Sequence, residues 1–256
     1  MRNPHVRALY YKVSSDGVIT YKEPDALRVS HALADFTIDD GSLTVRPKEY
    51  FGSEEEARSA IEPFLRAWEM HEDLISNIGT IRFKFDQADV VDREPPRSGE
   101  ARFIGEPAVS KTVSVNGTLT VQWSRYPAPP SDFSVTPDVE LVYCRWLRFK
   151  EGKEPLQSMA YFVLTVLERA AGGRKQAATT YQLEKEILEK IGKLSSTRGD
   201  GHTARKADAT LMKLSPNEYT WLAEAIRQVI RRMGEHAAGR QGGKLALADL
   251  PTLRNT

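Results

Sequence analysis

The sequence predicts an α+β protein: an antiparallel, β-rich N-terminal region with one long helix, followed by a C-terminal four-helix bundle. Three observations predict it. In the first half, Asp40-Gly41 and Asn116-Gly117 sit between alternating apolar runs, and such dipeptides supply the positive φ angles of a tight hairpin turn. From Thr136 to Ala238, apolar residues recur at spacings of three and four, the period of a helix face. Between the two patterns, Tyr126-Pro-Ala-Pro-Pro-Ser-Asp132 cannot continue a strand. The layout that follows is 1–125 for the β-rich region, 126–135 for a linker, 136–238 for the bundle and 239–256 for a tail.

Val6 to Val13 alternates as a strand, and Ser15-Asp16-Gly17 makes a turn into a second strand over 18–22. Asp35 to Asp39 and Ser42 to Arg46 form a hairpin around Asp40-Gly41. Ser53-Glu-Glu-Glu56 is a capping box that starts a helix over 53–76: the serine oxygen takes an amide of the first turn and the acids suit the dipole. Ala57, Ile61, Leu65, Trp68 and Ile75 mark its apolar face, and Pro63 should kink it. Thr80 to Asp86 alternates strictly, with Ile81, Phe83 and Phe85 on one face, as a half-buried strand does. Ala108 to Trp123 reads as a hairpin around Asn116-Gly117. Tyr10, Tyr11 and Tyr21 suit cross-strand packing, with a ligand groove as the alternative.

In the second half, Thr136-Pro-Asp138 caps a helix that carries Val139, Val142, Tyr143, Trp146 and Leu147. A strand is the alternative there, because the run is also rich in β-formers. Leu156 to Ala171 is apolar nearly all round, so it is a central, buried helix ending at Gly172-Gly173. A third helix spans Arg174 to Leu194, with Tyr181, Leu183, Ile187, Leu188 and Ile191 on its stripe. Ser215-Pro-Asn-Glu218 is a capping box with proline at the first helical position, opening a fourth helix to about Ala238. The tail, Lys244-Leu-Ala-Leu-Ala-Asp-Leu-Pro251, is apolar enough to dock on the body.

At 256 residues the chain has ample length for a buried core. Its single cysteine, Cys144, excludes an internal disulfide; it falls on a helical pattern with no histidine nearby, so a nucleophilic role is not expected. The N-terminus lacks the apolar run of a signal peptide and no stretch reaches a membrane span, so a cytoplasmic protein without membrane contact is expected. Residues 154–256 carry 16 Lys and Arg against 11 Asp and Glu, whereas 1–153 carry 20 against 24. That mildly basic second half permits contact with a polyanion. His5, His31 and His71 are scattered, and Asp86, Asp89, Asp92 and Glu94 read as a solvated face, so neither a metal site nor a cofactor is expected.

Composition departs from structural need in the stretch from Lys193 to Lys206. It combines glycines and hydroxyls with Lys193, Arg198, His202, Arg205 and Lys206. Such a loop can hold a phosphate through amides and guanidinium groups; a solvated loop is the alternative. It lacks the spacing of a P-loop.

Arg231-Arg-Met-Gly-Glu-His236 places a histidine after an arginine with four residues between them. On a bundle of helices this resembles the Arg-x4–6-His motif of the HEPN superfamily, over roughly 136–238. Many members are metal-independent ribonucleases in which paired chains bring the Arg and His together at a dimer cleft. The resemblance implies that Arg231 binds and polarises the scissile phosphate and that His236 helps in the proton transfers. The pairing is chemically sensible, since histidine titrates near neutrality and arginine clamps phosphate bidentately. Gly234 lies between the two residues and is a candidate helix break. The alternative is a solvated basic helix end, where cations suit the dipole.

Two functional expectations follow. One is an RNA- or phosphate-interacting protein with a HEPN-like bundle, acting as a homodimeric ribonuclease of defence or toxin type. The other is a non-catalytic protein that binds another protein. Whether the chain is an enzyme is left open by its residues.

Overall fold

A computed structural model describes residues 3–17, 19–76, 79–94, 121–198, 212–240 and 242–253. The chain is α+β, and it divides into two compact units, Met1–Pro129 and Pro130–Thr256.

The first unit is built on β1 (Pro4–Gly17), β2 (Ile19–Asp25), β3 (Leu27–Ser30), β4 (Ala34–Asp39), β5 (Ser42–Pro47), helix α1 (Glu54–Ser76), β6 (Gly79–Asp92) and β7 (Val121–Arg125). Five strands form an antiparallel sheet in the order β3-β4-β5-β1-β6. The β4–β5 hairpin turns at Asp40 and Gly41, whose φ angles are 43° and 73°, as the sequence requires. Leu9, Phe36, Ile38, Leu43, Val45 and Ile81 share a buried core with Ala57, Ile61, Leu65 and Trp68 of α1. The start of α1 is capped on both sides: the Glu56 amide donates to Ser53 Oγ (3.2 Å), and the Gly52 amide donates to Glu56 Oε2 (3.0 Å).

The first predicted hairpin is not formed. Ser15, Asp16 and Gly17 stay in β1 and pair with Ile81, Thr80 and Gly79 of β6. β2 pairs instead with β7, in parallel, and places Tyr21 against the rings of Trp123 and Tyr126. The long alternating β6 offers β1 a ladder beyond the turn signal, and Tyr21 finds aromatic partners elsewhere. Of the predicted 108–123 hairpin only its last residues, in β7, lie within the described residues; its Asn116-Gly117 turn lies outside them.

The second unit contains α2 (Pro137–Lys150), α3 (Leu156–Ala171), α4 (Arg174–Thr180), α5 (Lys185–Thr197), α6 (Pro216–Ala237) and a 3-10 turn, Leu247–Asp249. α3, the most apolar helix, packs against α2, α4, α5 and α6. Thr136 Oγ1 accepts the Val139 amide (3.3 Å) and fixes α2 as a helix, not a strand. The capping box of α6 is complete: the Glu218 amide donates to Ser215 Oγ (3.3 Å), and the Ser215 amide donates to Glu218 Oε2 (2.8 Å).

The helix predicted over Arg174–Leu194 is divided. Gln182 has φ 51°, and the tail inserts beside it. The Glu184 amide donates to the Leu245 carbonyl (2.9 Å), and the Leu245 amide to the Gln182 carbonyl (2.8 Å). Leu183, Leu245 and Leu250 are buried. The tail thus takes amide and carbonyl partners that a continuous helix would have used, and among the described residues the second unit has five α-helices where four are predicted. α5 also runs on to Thr197, so Lys193 is helical rather than part of a loop.

Candidate functional site

α6 buries Trp221, Leu222, Ala225, Ile226, Val229, Ile230 and Met233. Beside that stripe run two i,i+4 ridges, of which Glu235 at the end of the first is also buried. One is Tyr219, Ala223, Arg227, Arg231 and Glu235; the other is Thr220, Glu224, Gln228, Arg232 and His236. Side chains three and four apart on a helix are neighbours, so this strip brings Gln228, Arg231 and Arg232 together near the end of the helix.

Three arginines converge there on one carboxylate. Arg231 Nε lies 3.4 Å from Glu235 Oε1, and Arg232 pairs with Glu235 Oε2 at 3.0 Å. Arg240 reaches Glu235 Oε1 at 3.5 Å and also pairs with Asp132. Arg232 donates a further bond to the Gly243 carbonyl (2.7 Å). Along the strip, Arg227 donates to Glu224 (2.8 Å), and Gln228 Nε2 donates to the same carboxylate (2.7 Å).

Arg231 is the least satisfied member. Its side chain is 28 % exposed, against 12 % for Arg232 and 7 % for Glu235. Burial, together with the neighbouring cations Arg232, Arg227 and Arg240, pulls its pKa below the ordinary arginine value, against the opposing attraction of Glu235. Arg231 Nε, Arg232 Nε and Gln228 Oε1 are buried atoms without a hydrogen-bond partner. Leaving such atoms without a hydrogen bond is costly, and for Arg231 Nε the nearby Glu235 carboxylate offsets part of that cost.

The other sequence-predicted residues lie elsewhere. His236 is exposed, and its ring meets Tyr181 edge-on at 5.1 Å between centroids. α6 is unbroken through Gly234, so the five steps from Arg231 to His236 turn about 500°, leaving the two about 140° apart in projection. One chain does not bring them to one point. Gly234 serves packing instead of breaking the helix: a β-carbon there would sit 2.1 Å from Phe133 Cε2. Arg198 pairs with Glu218 (2.9 Å) at the start of α6, about 20 Å along the axis from Arg231. Lys193 is exposed on α5. His202, Arg205 and Lys206 lie outside the described residues.

Cys144 lies on α2 as expected, on its exposed side, and its thiol approaches Glu140 Oε1 at 3.5 Å. The carboxylates of β6 are engaged by surface partners: Asp86 by Lys12 (2.9 Å) and Asp89 by Arg7 (2.5 Å). Among the described residues no group of three or more His, Cys, Asp or Glu could hold a metal ion, and no helix is long and apolar enough to cross a membrane.

Sequence reasoning placed Arg231 and Arg232 off the apolar stripe but missed Gln228, Arg240 and Asp132 as their neighbours. The 224/228/232 and 227/231/235 spacings were a usable signal for the first. Nothing local foretells Arg240 or Asp132, which arrive from beyond the helix and from the linker. No protein-family model, curated protein or solved structure matches the chain.

Proposed function

We propose that this protein binds RNA along the partly exposed strip of α6, with Arg231 as its principal phosphate contact. The observation that carries the reading is the state of Arg231: part exposed, crowded by other arginines, and short of hydrogen-bond partners. A phosphate oxygen supplies the missing negative charge and accepts from the guanidinium in its preferred bidentate geometry. The choice of RNA over another polyanion rests on the resemblance of Arg231 and His236 to the HEPN motif.

The test is titration of labelled RNA at several salt concentrations in EDTA. Arg231→Gln weakens binding roughly 10- to 150-fold, the worth of a hydrogen bond to a charged group. It also lowers the slope of log affinity against log salt by about 1. Unchanged affinity and slope in the variant would remove the reading, and a protein partner retained in the absence of any RNA affinity would favour the protein-binding alternative.

A second reading adds chemistry to the same site. His236 is exposed at the same end of α6 as Arg231, so a homodimer can set the histidine of one protomer against the arginine of the other. That is the HEPN-like arrangement, in which Arg231 polarises the phosphate and His236 moves protons. RNA cleaved in EDTA by the parent and left intact by His236→Ala supports it; RNA bound but never cut leaves binding alone.

A further inference from the structure

The first turn of α6 meets the end of α2 in an aromatic row. The rings of Trp146 and Phe149 are 5.4 Å apart, and those of Phe149 and Tyr219 are 6.1 Å apart. Exposure rises along the row: Trp146 is buried, Phe149 half-buried, and Tyr219 is 47 % exposed. Tyr219 is therefore the open end of a row of rings tilted at 48° and 52° to one another. The end of α2 that holds Phe149 carries both charges, with Arg145 and Arg148 paired to Glu154 and Lys153 to Glu151. From Arg145 to Glu154 the chain carries four Lys or Arg and two Glu, and Lys150 Nζ sits 6.0 Å from the Trp146 ring.

Tyr219 also begins the ridge that continues through Ala223 and Arg227 to Arg231. Over those twelve steps the ridge climbs about 18 Å and winds about 120° around the helix. A flexible single strand can follow that path; a stiff duplex follows it poorly. Bases present π faces to aromatic side chains whatever their sequence.

We infer that Tyr219, backed by Phe149 and Trp146, is a stacking platform for the unpaired bases of single-stranded RNA whose backbone runs along α6 to Arg231. This rests on the proposed phosphate contact at Arg231 and adds to it a preference for single strands.

The test uses the full chain and fluorescence anisotropy with a labelled oligouridine, alone and annealed to its complement. The parent binds the single strand more tightly than the duplex. Tyr219→Ala weakens single-strand binding roughly 5- to 150-fold, the range that one base–aromatic stack supplies, and leaves duplex binding unchanged. Tyr219→Phe keeps the ring and the affinity. Thermal melts establish that the Ala variant is folded at the assay temperature. Equal single-strand affinity for Tyr219→Ala and the parent, with Arg231→Gln still impaired, overturns the platform and leaves the phosphate reading standing. A parent with no single-strand preference overturns it as well. No binding of either RNA form by the parent overturns both.

Discussion

Phe133 lies against Gly234 so closely that the glycine cannot carry a side chain: a β-carbon would come within 2.1 Å of Cε2 and 2.4 Å of Cζ. The neighbouring Ser134 amide donates to the Gly234 carbonyl (3.0 Å). Ring and backbone together pin the segment that precedes α2 onto the last helix. A glycine inside a helix costs about 1 kcal/mol relative to alanine; here that cost is offset by contact with a buried aromatic.

The relationship predicts a change of sign. Gly234→Ala in the parent forces the Phe133 ring aside and lowers stability by about 1–3 kcal/mol, the usual cost of overpacking. In a Phe133→Ala background the clash is gone, and Gly234→Ala raises stability by up to about 1 kcal/mol. Urea unfolding of the four proteins measures both values. Destabilisation of equal size in both backgrounds would show that Phe133 is not the obstacle.

Glu69 of α1 covers the outer edge of β6, where its Oε1 accepts the Phe83 amide (2.8 Å). Its side chain is only 11 % exposed. Burial raises its pKa above the ordinary glutamate value, against the opposing pull of the Phe83 amide and of Arg82 and Arg66. A raised carboxyl pKa means that the folded state holds this proton more tightly than the unfolded chain. Its contribution to stability is therefore full in acid and lost as pH climbs from the ordinary glutamate value through the folded one. Glu69→Gln keeps an acceptor for Phe83 and removes that loss, so its stability relative to the parent improves as pH rises. Glu69→Ala orphans the amide and costs about 1–3 kcal/mol. Denaturant melts across pH separate the two.

Glu218 behaves in the opposite sense. Burial alone would raise its pKa, but the Ser215 amide and the Arg198 guanidinium outweigh that and hold it below the usual carboxylate range. Its contribution is present above the unfolded value and lost as pH falls through the depressed one. Ser215→Ala removes the other half of the box and costs about 1 kcal/mol. Thermal melts near neutral pH check the cost, and an undiminished stability would mean that proline and the dipole suffice to start α6.

The tail makes a separate prediction. Leu245 is buried and its carbonyl holds the Glu184 amide. Leu245→Ala costs about 2–5 kcal/mol. It also speeds hydrogen exchange at Glu184 before it affects α3, because the α4–α5 junction depends on the tail. Uniform acceleration through the second unit would place Leu245 in the shared core instead.

The fold was legible where the signal was local. Asp40-Gly41, Ser53, Thr136 and Ser215 each set a turn or helix start through chemistry within a few residues. It was not legible where a distant segment won. Leu245 splits the helix predicted around Leu183, and β6 holds Ser15 to Gly17 in a strand where a turn was read. The candidate site divides in the same way. Arg231 and Arg232 stand out by their place off the apolar stripe, whereas Glu235 becomes their shared partner only because it is buried with them. Arg198, read from the sequence as part of a phosphate-binding loop, is spent on Glu218 at the far end of the helix.

Comparing RNA affinity of the parent, Arg231→Gln and Lys175→Gln is the most direct measurement of the central claim. Lys175 is exposed on α4, so its variant carries the same loss of charge on a helix other than α6. The prediction is a roughly 10- to 150-fold weaker complex for Arg231→Gln, with Lys175→Gln close to the parent. Equal losses in both variants would mean that only net charge attracts the RNA, and no loss in either would contradict a phosphate contact at Arg231.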